Sequence, residues 1–474
     1  MTRQPKPGRR APKAPVDPWH HLLDLYARLV QSRAPIDSEI AHFLRLRPSL
    51  KPEEIGWLLK RAGAMLRRRI RTLQCYRWAG ESAPMIGDDW NAVRFAGLEE
   101  AAIALYRHLR EDESRPPREA REWVVASLSA HAQWTPSPRI RAFEEAGDPL
   151  VKLRDFQTRY ESDPALTSAP ELDQLSAKWS LPADLVERWS ARFGTEGAAA
   201  LAASLAEEPP LDLRVNVHRA TRDDVISQLR SAGLEPAPTT LSPHGIRLAA
   251  RSRVHGLECY RAGLVEMQDE GSQLVALALD PRPGWKVLDA CAGAGGKTLH
   301  LAAIMKGKGE VHAHDRDERK LEDLRLRARR ADANNVRVVA PGTIPLNDYN
   351  AVLIDAPCLG LGTIRRNPDI AWRGKLADRM AEMVARQAEC LTSYATLVKP
   401  GGFLVYTTCS FEPEETTELL AQHLPAGFEP APLAPGFTHH GVGLDLTPET
   451  STLTLLPSVQ GTDGFFVARF VRRS

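Results

Sequence analysis

Two cysteines stand at matching points of the chain some fifty residues apart, Cys358 in AVLIDAPCLGLGTIRRNPDIAW and Cys409 in VYTTCSFEPEE. Each follows a short apolar run of strand type, so each is expected at a strand tip, and Asp355 closes the first of these runs. A free cysteine taken alone is usually a small buried hydrophobe. A pair at neighbouring strand tips, one preceded by Asp-Ala-Pro, offers a carboxylate and thiols to the same crevice. By that test Cys75, Cys259 and Cys390 are expected to be structural. Earlier in the chain the strand VLDA runs into CAGAGGKT and the helix LHLAAIM. Glycines there let a backbone approach a ligand closely, and the helix N-terminus beyond adds unpaired N–H groups. Cys291, Ala292, Gly293, Ala294, Gly295, Gly296 and Lys297 are therefore expected to hold a nucleotide-like cofactor. The spacing is neither the dinucleotide GxGxxG nor the Walker pattern, which argues against NAD and ATP. The next strand ends in VHAHD, where Asp315 is expected to accept from the ribose hydroxyls; for its rival Asp317 the alternative role is helix capping.

A thiol, a carboxylate and a nucleotide-type cofactor suit methylation of carbon 5 of a pyrimidine. That carbon is a poor nucleophile until a thiolate adds at carbon 6 and turns the ring into an enamine. Carbon 5 then takes a methyl group from S-adenosylmethionine, and base-assisted elimination frees the enzyme. An acid facing the exocyclic amine and ring nitrogen favours cytosine over uracil. The base has to leave its stack to be reached, and phosphate contacts, for which Arg365 and Arg366 are candidates, offset that cost.

The elements that position these groups follow from the rhythm of the chain. Strands at Lys286–Asp289, Glu310–His314, Val336–Val339, Ala351–Asp355 and Phe403–Thr407 alternate with helices such as Glu318–Ala331 and Arg379–Leu397, the pattern of a doubly wound parallel sheet. An acid-rich helix after Cys409 and a terminal strand FFVARFVRR are expected to close it. The expected organisation is a basic arm over 1–15, a helical domain over 16–140, a helical linker over 141–208, a small α+β domain over 209–280 and the doubly wound domain over 281–474. The basic stretch around MLRRRIRTL, with Lys60, Arg61, Arg67, Arg68, Arg69, Arg71 and Arg77, either tracks an RNA backbone or is a solvated face.

With 474 residues, 43% hydrophobic and 26% charged, the chain is long enough for about three globular domains. No apolar run is long enough to span a bilayer, and the N-terminus lacks the apolar core of an export signal. The six cysteines include no CxxC pair, so neither a disulfide framework nor a zinc site is indicated, and a reducing cytoplasm is the expected setting. A net charge of +2 leaves any nucleic-acid partner to local basic patches.

At these residues the sequence resembles the RsmB/Nop/Sun family of RNA cytosine-carbon-5 methyltransferases. DACAGAGGKT resembles its first motif, DAPCLGLGTIRRNPD its fourth and YTTCSFEPEE its sixth, with RVN at Arg214–Asn216, QDEGSQL and DGFFVARF as further hallmarks. The resemblance implies a Rossmann-like class I methyltransferase sheet preceded by a small α+β RNA-binding domain. The helical N-terminus is more weakly similar to the NusB-like domain of bacterial 16S ribosomal-RNA members. It further implies Cys409 as the nucleophile, Cys358 as the residue assisting product release, Asp355 as the cytosine-binding acid that also borders the cofactor, and Asp315 as the ribose acid. Arg214 and Asn216 join Arg365 and Arg366 as RNA contacts. Leu359 and Thr416 depart from the family's usual residues, and VVAPGTIP lacks the expected adenine-contacting acid. The implied protein is a monomeric, metal-free enzyme of small-subunit ribosomal RNA, with transfer RNA as the alternative substrate. A catalytically retired ribosome-assembly factor and a Rossmann oxidoreductase are the rival classes; the intact cysteine pair argues against both.

Overall fold

The computed structural model describes residues 36–67, 170–249, 254–340 and 347–473, together with His21, Leu25, Arg28, Leu29 and Ser168. The expected basic arm, most of the MLRRRIRTL stretch and the stretch around residues 80–167 lie outside the described residues, as do the side chains of Lys60, Arg61 and Arg67.

The described chain forms two units. The first contains α1 (Ile36–Arg45), α2 (Pro52–Arg67) and α3 (Glu171–Trp179). Leu58, Ala62 and Leu66 recur every four residues on α2 and are all buried, the stripe by which an amphipathic helix packs. On α1 Phe43 is buried, with the Arg47 guanidinium 3.8 Å from its ring centre. A long helix, α4 (Ala183–Ala206), is interrupted at Gly194, where φ is +73°.

The second unit contains two sheets. The smaller is antiparallel, in the order β2 (Pro236–Pro238), β3 (Gly245–Leu248), β1 (Leu211–Val215), β4 (Val265–Met267). Helix α5 (Arg222–Ser231) starts with a capping box between Thr221 and Asp224, and its Val225, Ile226 and Leu229 pack with Leu213, Val215, Ile246 and Val265 of the sheet.

The larger sheet has β7 (Val336–Val338), β6 (Glu310–Ala313), β5 (Lys286–Asp289), β8 (Tyr349–Asp355) and β9 (Val398–Thr408) in parallel. β12 (Phe465–Arg472) runs antiparallel beside β9, and β10 (Phe428–Pro430) and β11 (Thr452–Leu455) share its far edge. Alternate residues feed two cores: Val287, Leu353, Val405 and Val467 face one side, Leu288, Val352, Leu404 and Phe466 the other. The first core receives α6 (Glu270–Leu279), whose apolar run Leu274–Leu279 is wholly buried, and α7 (Gly296–Ile304). The second receives α9 (Leu376–Ala395). The helix α8 (Glu318–Ala331) buries only Leu321, Leu324 and Ala331. Strand order reverses direction between β5 and β8, and at such a switch point the loops beyond the carboxyl ends open into a crevice. Among the described residues no helix is long and apolar enough to cross a membrane.

Candidate active site

The loop after β5 enters the crevice through two glycines in left-handed conformations, Gly293 at φ +53° and Gly295 at φ +86°. At Gly295 a Cβ would lie 2.6 Å from Leu324 Cγ, so α8 approaches the turn too closely for a side chain. The Gly293 N–H donates to Asp315 Oδ2 at 2.8 Å, and Asp315 Oδ1 accepts from the Asp317 N–H at 2.8 Å. Asp315 thus ties the loop after β5 to the loop after β6. Asp317 caps α8, its side chain accepting from the Arg319 N–H. Beneath the loop Asp289 is fully buried; Thr298 donates to its Oδ2 at 2.7 Å, while its Oδ1 has no partner. Burial, reinforced by the charges of Asp355 and Asp315 and opposed by Thr298 and Lys297, raises its pKa to about 7.

These loops wall a cavity of about 840 Å³ lined by Cys291 to Ala294, Gly296, Lys297, Asp315, Asp317, Asp355 and Pro357 among others. Its carboxylates suit a ligand with cationic sulfonium and ammonium groups and ribose hydroxyls, and its backbone cradle admits close approach. The fit is therefore to S-adenosylmethionine. Cys390, expected to be structural, is buried yet borders the same cavity as Cys291.

Asp355 is the hinge between this cavity and the cysteines. Its Oδ2 accepts from Lys297 Nζ at 2.7 Å, and although burial opposes the ammonium charge, Asp355 more than offsets this and raises the Lys297 pKa. Asp355 pairs with Thr407 across β8 and β9, which brings the two outgoing loops together. Cys358 Sγ lies 3.3 Å from Cys409 Sγ. The hydrogen bond with Cys409, burial, and the charges of Cys409, Glu415 and Asp355 push the Cys358 thiol well above the ordinary range. The loops are also stitched by backbone: the Gly362 N–H donates to the Cys409 carbonyl at 3.0 Å, and the Gly464 N–H to the Gly362 carbonyl at 2.8 Å.

The four residues expected to contact RNA each bond to groups within the chain. Arg214 is buried; its guanidinium donates to the Gln268 side chain and the Gly296 carbonyl, and burial lowers its pKa to about 9. Asn216 is buried and donates to the carbonyls of Gly263 (3.1 Å) and Ala331 (2.9 Å). Arg365 is buried against Asp463 Oδ1 at 2.7 Å, and Arg366 pairs with Asp463 and with Asp269 Oδ2 at 2.8 Å. Arg214 and Asn216 tie the small sheet to α7 and α8, and Arg365 and Arg366 tie the loop after Cys358 to Asp463 and Asp269; a buried donor left unpaired would be costly. Lys297, placed by sequence in the cofactor loop, does border the cavity but is engaged by Asp355. Leu359 is buried, and Thr416 Oγ1 donates to the Glu412 carbonyl at 2.7 Å. Sequence reasoning missed Asp289, Asp269, Asp463, Gln387 and Glu415; the paired glutamates of FEPEE were the one visible signal for the last.

The family model described as 16S rRNA methyltransferase RsmB/F matches residues 276–471, and the ferredoxin-like domain of RsmF/B-like methyltransferases matches residues 181–255. Ribosomal RNA small subunit methyltransferase B of Klebsiella pneumoniae subsp. pneumoniae is 33% identical over 326 residues, 68% of this chain and 72% of that protein. The probable ribosomal RNA small subunit methyltransferase B of Bacillus subtilis is 33% identical over 315 residues, 62% and 67% of the two chains. A crystal structure of a methyltransferase homolog protein from Pyrococcus horikoshii is 28% identical, with TM-score 0.54, covering 64% of this chain and 99% of that one. With this cofactor cavity opening beside the paired cysteines, the chain belongs to the RsmB/Nop/Sun family of S-adenosylmethionine-dependent methyltransferases.

Proposed function

We propose that the protein methylates carbon 5 of a cytosine in small-subunit ribosomal RNA through a covalent adduct on Cys409, acting as a cytoplasmic monomer without a metal. The observation that carries the reading is the 3.3 Å separation of Cys358 Sγ and Cys409 Sγ next to the Asp355–Lys297 pair at the cavity wall. Small-subunit RNA is the substrate because the relatives carry that activity in their names.

S-adenosylmethionine supplies, when bound, an electrophilic methyl group. The Cys409 thiolate adds to carbon 6, so that the ring's electrons move to carbon 5 and make it nucleophilic. Asp355 accepts from the exocyclic amine, a bond that uracil, with a carbonyl there, does not offer. Lys297, kept protonated by Asp355, offsets negative charge gathering on the ring. Once carbon 5 carries the new methyl, its proton passes to solvent water acting as base, the C–H electrons re-form the carbon 5–carbon 6 double bond, and the sulfur–carbon 6 bond breaks with its electrons returning to Cys409; Cys358 assists that release.

The test is a denaturing gel of protein with RNA containing 5-fluorocytosine, whose fluorine blocks elimination. Wild type is expected to form an adduct and Cys409→Ala none. Cys358→Ala is expected to accumulate a denaturant-resistant adduct even with ordinary RNA. An adduct with Cys409→Ala, or none with Cys358→Ala, overturns the assignment.

A further inference from the structure

We infer that Glu415 is a positioning residue for the two-cysteine site: its buried carboxylate holds the chain on both sides of Cys358 and so keeps that thiol against Cys409. The inference rests on the reading of this pair as the reacting thiols.

Glu415 is fully buried, and its Oε1 accepts from the Leu359 N–H at 2.8 Å and from Gln387 Nε2 at 2.9 Å. The same Gln387 nitrogen donates to the Pro357 carbonyl at 2.8 Å. The residues immediately before and after Cys358 are thus anchored to one carboxylate, one directly and one through the Gln387 amide on α9. The other end of the anchor is on β9, the strand that delivers Cys409: Tyr406 Oη donates to the Glu415 carbonyl at 2.9 Å. Together with the backbone bond from the Gly362 N–H to the Cys409 carbonyl, Glu415 sets the two strand-tip loops relative to each other, its side chain holding the Cys358 loop and its carbonyl held by β9.

The chemistry of the anchor separates it from a proton carrier. Both bonds to the Cys358 loop and its tether fall on Oε1, while Oε2 is buried with the Ser410 side chain nearby. An amide oxygen accepts the same two bonds, so glutamine is expected to replace Glu415 in the positioning role, whereas alanine releases the Leu359 N–H and the Gln387 amide together. A shift of the loop by about 1 Å is enough to cost a reacting pair roughly a hundredfold in rate.

The experiment has one readout that does not depend on the methylation reaction. The two sulfurs need only approach from 3.3 Å to the roughly 2.05 Å of a disulfide. Diamide takes two protons and two electrons from the thiols, is itself reduced to the hydrazine, and leaves one disulfide. The rate of that bond, identified as Cys358–Cys409 by peptide mapping so that Cys291 and Cys390 are scored separately, is measured on the full chain well below its melting temperature. It is compared with kcat, KM and the pH profile of methyl transfer to small-subunit RNA. Glu415→Ala is expected to lower both the disulfide rate and kcat about tenfold or more, with KM for RNA within about twofold. Glu415→Gln is expected to restore both to within about threefold with an unaltered pH profile, and Gln387→Ala to lie between the two. A wild-type disulfide rate in Glu415→Ala, or in Gln387→Ala if the former does not fold, overturns the inference, as does a Glu415→Gln variant as slow as alanine. Expected disulfide rates without a fluorocytosine adduct would leave the anchor standing and sink the reaction proposed above.

Discussion

Replacing Gly362 with alanine is expected to disable the reaction while sparing the cofactor cavity. A Cβ on Gly362 would lie 2.6 Å from the Gly464 carbonyl carbon and 2.7 Å from its Cα, and both neighbours are backbone, so no side chain can swing aside. Restoring ordinary contact requires the two segments to part by roughly 1 Å, against a packed core that resists such shifts. On its far side Gly464 is closed off by Phe411, where a Cβ would lie 2.8 Å from a ring carbon. The Gly464 N–H to Gly362 carbonyl bond at 2.8 Å then breaks. Overpacking costs about 1–3 kcal/mol and a buried hydrogen bond left unmade about 1–3 kcal/mol, so the expected loss of stability is about 2–6 kcal/mol. Because Gly362 also donates to the Cys409 carbonyl, the displacement is passed to the cysteine pair, and kcat is expected to fall about a hundredfold. Gly362 is not on the cavity wall, so S-adenosylmethionine affinity by calorimetry is expected to stay within about twofold. Gly256, where a Cβ meets nothing within 4 Å, is the control and should tolerate alanine. A Gly362→Ala enzyme with kcat within threefold of wild type would refute the reasoning.

Two further outcomes follow from the cavity. Asp315→Ala should weaken S-adenosylmethionine binding by roughly ten- to a hundredfold, since a charge-assisted bond of about 1.5–3 kcal/mol is lost; unchanged calorimetric affinity would put the ribose elsewhere. Asp289, an acid whose folded pKa is raised from 3.8 to about 7, holds its proton more tightly folded than unfolded. Its effect is therefore a loss of stability as pH rises from about 4 to about 7, amounting to about 4 kcal/mol above that window. Asp289→Asn should flatten this part of the pH dependence in denaturant melts at pH 5 and pH 8, and identical pH dependence in the two proteins would show that Asp289 does not carry it.

The strands and helices nearest the cavity were legible because local signals agree there. β5 and α8 start and stop where the sequence places them: a buried apolar run ends at Asp289, and Asp317 caps a helix with a single apolar stripe. The nearness of Cys358 and Cys409 was legible because each cysteine follows its own strand. The internal bonds of Arg214, Asn216, Arg365 and Arg366 were not legible, for a physical reason. An arginine beside a reactive loop reads as a phosphate ligand unless its acid is visible, and the acids that hold Arg366 are Asp269 and Asp463, each nearly a hundred residues away. Glu415 and Gln387 escaped notice likewise, since a carboxylate that bonds a backbone N–H of another loop has no signature in spacing.

The Asp269–Arg366–Asp463 linkage bears on how this chain can be cut and recombined. Asp269 caps the helix that follows the small sheet, Arg366 follows the Cys358 loop, and Asp463 opens the last strand, so one ionic cluster spans three distant stretches. Arg214 and Asn216 add ties from the small sheet to α7 and α8. A graft exchanging the small sheet with that of a relative carries across half of each pair and strands the other half in a dry interior. For protein engineering the two sheets are therefore expected to be exchanged as one cassette, with junctions placed ahead of β1 rather than between the sheets.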